Sequence, residues 1–141
     1  MNTFLAESLK STVLLGLQAT GTGAEAYVAP TGGSCALNVR GIATMGNAAD
    51  LVLSLNYADD ASGTNATAFP VNVPLYVDGV RQTDAKAYTI GDATGNFIVD
   101  FCVDPGLIPE GKFVGISYAN SNAANFLTTL LVEDSANKPS V

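Results

Sequence analysis

Carboxylates are the commonest groups in this chain that could do chemistry. There are 13 Asp and Glu against 6 Lys and Arg, and no histidine. Without histidine there is no Ser–His–Asp arrangement, no proton shuttle tuned near neutrality and no imidazole metal ligand. An acid–base site would need paired carboxylates. Asp59-Asp60 with Asn65 is such a cluster, but it lacks the alternating spacing of a calcium loop. Asp100 and Asp104 flank Cys102 on one face of an alternating run, and there they read as outer-surface groups. Asp84 with Lys86, and Glu110 with Lys112, read as solvated turn charges.

Three further motifs bear on chemistry. Gly21-Thr22-Gly23-Ala24-Glu25-Ala26 fits the spacing of a dinucleotide fingerprint. That motif needs a helix whose N-terminus meets a pyrophosphate. Tyr27-Val28-Ala29-Pro30 and Gly32-Gly33 leave no room for one, so this is a glycine-rich loop. Ser135-Ala136-Asn137-Lys138 fits S-x-x-K, but the companion S-D-N and K-T-G elements are missing. Cys35 and Cys102 each lie in an apolar stretch and read as buried thiols, with a single bridge as the other option. No C-x-x-C exists for zinc or redox work. The expectation is a protein that is not an enzyme and holds no metal or cofactor.

Charge and composition narrow the partners. The net charge is −7, and the positive side chains are Arg40, Arg81 and four lysines. That set cannot hold a phosphate backbone, which is bound through clustered Lys and Arg. No stretch approaches the ~20 apolar residues of a membrane-spanning helix. Met1 to Lys10 has no basic leader region, and Val13 to Leu17 is short for a signal core. The expectation is a cytoplasmically made chain that binds neither nucleic acid nor membrane.

The elements that must position these groups are strands. The dominant period is two. Leu51, Leu53, Leu55 and Tyr57 share one face, as do Val71, Val73, Leu75 and Val77, and Phe97, Val99, Phe101 and Val103. Such runs bury one face of an antiparallel sheet and wet the other. Strands are expected over 12–19, 34–44, 50–57, 71–78, 81–90, 96–103, 112–119 and 126–133. Asp78-Gly79 marks a two-residue hairpin, whose turn needs positive φ at both positions. Pro70 and Pro74 push the fourth strand to a sheet edge or a bulge.

About eight short strands with turns between them predict a sandwich or a barrel. A single domain over 1–141 is expected, all-β, an antiparallel β-sandwich of jelly-roll type. The runner-up is an immunoglobulin-like sandwich. Cys35 and Cys102 fall in strands two and six as that fold would place them, but the chain has no tryptophan to pack on such a bridge. Residues 1–11 form an N-terminal arm or short helix, with Phe4, Leu5 and Leu9 at helical spacing, and 135–141 form a C-terminal tail. The arm either folds over its own sandwich or docks on a partner.

Several features occur together. The chain has an Ala/Thr/Asn/Gly-rich texture and a short apolar arm at Asn2–Lys10. It also has the run Phe97-Ile98-Val99-Asp100-Phe101-Cys102-Val103-Asp104-Pro105-Gly106 and the run from Gly111 to Asn122. In these the chain resembles the small decoration, or cement, proteins of tailed-bacteriophage capsids. The resemblance implies a jelly-roll virion protein on the outer capsid surface, with no catalytic residues. It would cement neighbouring major capsid protein subunits and form a dimer or trimer. Phe4, Leu5 and Leu9 are the partner-binding residues expected from the arm. The other reading is a carbohydrate-binding or adhesion module, such as a tail-fibre or fimbrial component.

Overall fold

Alternating side chains make a ribbon with one apolar face, and such a ribbon is stable only when that face is covered. The computed structural model shows how the covering is done. It describes residues 9–20, 25–30, 36–46, 50–91, 94–119 and 124–134. The strands are β1 (Leu9–Ala19), β2 (Tyr27–Val28), β3 (Ala36–Met45), β4 (Leu51–Ala58), β5 (Thr67–Ala68) and β6 (Leu75–Val77). They continue with β7 (Val80–Arg81), β8 (Ala87–Ile90), β9 (Gly95–Val103), β10 (Phe113–Ala119) and β11 (Asn125–Asp134). No helix among the described residues is long and apolar enough to cross a membrane.

One sheet has the order β1-β11-β3-β9-β6-β7. The other has the order β2-β10-β4-β5, and β8 also pairs with β4. Each strand pairing is antiparallel. Setting aside β5, β6 and β7, the pairs are nested from the outside in: β1 with β11, β2 with β10, β3 with β9, and β4 with β8. This is a long antiparallel ribbon rolled into two layers, the jelly-roll order. In the immunoglobulin order the first two strands lie side by side. Here the first strand lies beside the last, so the runner-up does not describe this fold.

The inner faces of both sheets form one core. Val39, Val99, Phe101, Leu127 and Leu131 point in from the six-stranded sheet, and Leu51, Leu53, Leu55, Val114 and Ile116 from the other. Phe69 follows β5 and is fully buried, with its N–H donating to the Leu55 carbonyl at 3.0 Å. Each such side chain contributes roughly 1.5–3 kcal/mol by leaving water.

Several boundaries differ from expectation. β1 begins at Leu9, so the last residues of the expected arm are already strand. The arm ahead of Leu9 and the tail from Ser135 lie outside the described residues. The run over 81–90 is split: Val80–Arg81 stays with β6, and Ala87–Ile90 crosses to β4 in the other sheet. Pro74 stands just ahead of β6, which leaves only Leu75–Val77 to pair with β9. β6 is therefore one strand in from an edge closed by the two residues of β7. Asp78 and Gly79 have φ of 50° and 80°, which makes the expected hairpin turn. The Asp78 carboxylate also accepts from the Ile98 N–H at 2.8 Å, tying the turn to β9.

Gly115 on β10 is where the two-residue β2 is held. A Cβ there would stand 2.5 Å from the Ala26 carbonyl oxygen and 2.7 Å from the buried Tyr27 ring. Gly115→Ala should therefore push β2 away and cost about 2 kcal/mol, as overpacking does. Urea denaturation measures this; an unchanged midpoint would show that β2 is not held so closely.

Candidate functional site

Phe4 and Leu5 lie outside the described residues. Leu9 lies at the start of β1, in register with Asp134. Leu9 thus opens an edge strand of the six-stranded sheet, whose outer face is the one turned away from the core.

Register assigns residues to that face. Val13 lies beside Leu130, Leu130 beside Arg40, Arg40 beside Asp100, Asp100 beside Tyr76, and Tyr76 beside Arg81. One row of side chains thus crosses all six strands. Its centre is charged. Arg40 Nε donates to Asp100 Oδ1 at 2.6 Å, and Arg40 Nη2 donates to Asp100 Oδ2 at 3.2 Å. This two-pronged contact raises the Arg40 pKa, chiefly through the hydrogen bond, with burial opposing it. Asp100 is buried although it faces outward, so it is not the solvated group its alternation suggests. At the far end the Arg81 guanidinium lies 5.6 Å from the centre of the Tyr76 ring and pairs with Asp84. Such an arrangement adds cation–π attraction to the ion pair.

Apolar side chains continue this row at its β1 end and flank it on one side. Val13, Leu17, Phe126 and Ile98 are exposed, and Ile42 and Leu130 are half-buried. The face spans six strands. It is suited to contact with another surface.

The other candidate groups do not converge on it. Asp59 accepts from Lys112 and from Asn65 Nδ2, the latter at 2.7 Å. Asp60 accepts from the Ser62 N–H at 2.9 Å and from the Thr64 hydroxyl at 2.6 Å. Both carboxylates are thereby engaged in holding their own loop. Among the described residues no three acidic or cysteine groups gather to hold a metal ion. Gly21 to Ala24 lie outside the described residues, and the residues after them enter β2, not a helix. Ser135 to Lys138 and Cys35 also lie outside the described residues. Cys102 is a free, half-buried thiol whose pKa is raised by burial and then by Asp100. It borders a shallow cavity of about 320 Å³ with Asn72, Pro74, Asp104 and Leu107.

The tyrosines are dispersed. Tyr27 is buried, and its hydroxyl donates to Glu25 Oε2 at 2.7 Å. Burial first, and that hydrogen bond second, hold its proton well above the ordinary range. Tyr57, Tyr88 and Tyr118 pack against the core, and Gln18 Nε2 donates to the Tyr118 hydroxyl at 2.8 Å across the sandwich. They do not form a sugar-stacking platform.

The outer-face row is the feature that sequence reasoning missed. Its members lie on different strands, and only register brings them together. The chain matches no family model, and no curated protein is significantly similar to it.

Two measurements test this electrostatic arrangement. Arg40→Ala leaves the Asp100 carboxylate, with its side chain 10% exposed, without its partner. It should cost about 3 kcal/mol, as breaking a buried pair does. Asp100→Ala should cost less, because the Arg40 side chain, 34% exposed, can turn to water. Equal losses in chemical denaturation would show that burial is not what makes the pair matter. The second test concerns Asp59, whose pKa is lowered first by Lys112 and then by Asn65. A carboxylate with a lowered folded pKa stabilises above its unfolded value, and that stability is lost as pH falls through the folded value. Lys112→Ala should therefore make the loss of stability below about pH 4 shallower. An acid limb identical to wild type would remove this pair from the account.

Proposed function

We propose that this chain is a structural virion protein that binds the outer surface of a phage capsid. It cements neighbouring major capsid protein subunits, acts as a homo-oligomer and carries out no catalysis. The observation that carries the reading is the outer face of the six-stranded sheet, where Val13, Leu17, Phe126 and Ile98 are exposed on the same side. Exposed apolar groups gathered on one face mark a contact surface, where scattered ones mean nothing. The jelly-roll order agrees with the resemblance but does not by itself imply a function. The net charge of −7 is no handicap to a protein that sits outside the shell and need not touch DNA.

The mechanism is additive. Each copy contributes a modest contact, and an oligomer that touches two shell subunits raises the effective concentration of the second contact. Phe4 and Leu5, which precede β1 in the sequence, add to that contact. Burying them on the shell offsets the entropy of ordering the arm.

The test is to purify virus particles from the source of this chain and quantify the chain against the shell protein by mass spectrometry. A copy number comparable to the shell protein is expected. A few copies per particle would indicate a tail or fibre part, and none would return the chain to the adhesion reading. In the same preparation, deleting residues 2–8 spares β1 and should weaken capsid binding. Undiminished binding would remove the arm from the mechanism.

A further inference from the structure

The edges of this sandwich are unequal. β7 closes one edge of the larger sheet with two residues, Val80–Arg81. β2, at one edge of the other sheet, also has two residues, and the far edge is shared by β5, with two, and β8, with four. The remaining edge is β1, with eleven residues, Leu9–Ala19. It has β11 on one side and no described strand on the other. A long edge strand offers a row of backbone donors and acceptors to any other strand, and proteins that must stay apart blunt it with proline or charge.

β1 is not blunted in that way. It contains no proline, and its single charged residue is Lys10, in register with Glu133 of β11. Its Val13 and Leu17 are 63% and 70% exposed, the two most exposed large apolar side chains among the described residues. Its pairing with β11 is regular from Leu9 to Val13 and irregular from there to Gln18. The regular half is the part that can take another strand.

We propose that a second copy of this chain pairs with β1, edge to edge and antiparallel, about a two-fold axis near Ser11. The two six-stranded sheets then become one continuous sheet. Charge does not oppose a second copy at this edge, and the other edge strands are too short to hold one. Each copy carries a net charge of −7, so most approaches set carboxylates against carboxylates. From Leu9 to Ala19 there is no acidic residue, and the one lysine already has a glutamate across the ladder. The axis also sets position 9 of each copy opposite position 13 of the other, so that the same backbone pairing forms twice. Such isologous contacts are self-complementary by symmetry. Main-chain hydrogen bonds supply affinity, as in strand addition to other sheets, and the outward side chains supply register.

This pairing goes beyond capsid binding and does not depend on it. The test is sedimentation equilibrium of the full chain over a wide concentration range. The wild type should pass from 14.4 kDa to twice that mass. The double variant V13K/L17K should stay monomeric with an unchanged circular dichroism spectrum. Val80→Lys, at another exposed apolar site, should dimerise as the wild type does. A monomeric wild type, a trimer, or a double variant that still dimerises would overturn the inference. Should the lysine variant fail to fold, amide exchange of the wild type decides. Residues 9–13 gain protection with concentration if β1 is paired, and the inference fails if they gain none. A monomer that still binds capsids would sink this pairing and leave the capsid reading standing.

Discussion

The register between β3 and β9 is the constraint on which the rest of this molecule depends. Nine consecutive pairs, Leu37 with Val103 through Met45 with Gly95, run without a break at the centre of the larger sheet. Because side chains alternate, a slip of one residue would turn one of the two strands over, putting either Val39 out and Arg40 in, or Val99 and Phe101 out and Asp100 in. The core alone opposes that slip. The Arg40–Asp100 contact opposes it a second time from the other face, since the two-pronged geometry exists only in this register. A buried ion pair is weak evidence for stability and better evidence for specificity. Here its place in the middle of the outer face fits the second role.

From that centre the sheet grows outward in nested pairs. β11 lies on the other side of β3 in an unbroken ladder from Ala36 to Met45, and β1 then lies on β11. The last pair closed is also the one with the greatest separation along the chain. Loop closure over so many residues must be met before those contacts stabilise anything, which makes this a topology of slow folding. The hairpin at Asp78-Gly79 and the adjoining β9 are local by comparison.

What could be read from the sequence follows the same physics. Long alternating runs such as Phe97 to Val103 are legible because a strand half-buried along its length imposes a period of two. Asp78-Gly79 is legible because few residue pairs accept positive φ twice. The pairs Tyr27–Val28 and Thr67–Ala68 are too short to show any period, yet β2 completes the roll. The eight expected strands equal in number the eight of the nested pairs, but they include the inserted β6 and omit β2. The run from Arg81 to Ile90 looks continuous, and nothing local reveals that it leaves one sheet at Gln82 and joins the other at Ala87. Asp100 reads as a surface group because alternation reports which face a residue takes and not what covers it. The outer-face row and the bare edge exist only once register and strand order are known.

The nesting has one more consequence. The first and last strands are neighbours, and position 9 lies directly across from position 134. Whatever precedes the one and follows the other departs from a single corner of the sandwich. The distance between those two points is about 5 Å, the spacing of paired strands. A short linker could therefore join them, and new ends could be opened at the Asp78-Gly79 turn without cutting a buried strand. A fluorophore or epitope attached at position 9 or position 134 would be displayed from the same corner, which makes the molecule a one-sided handle.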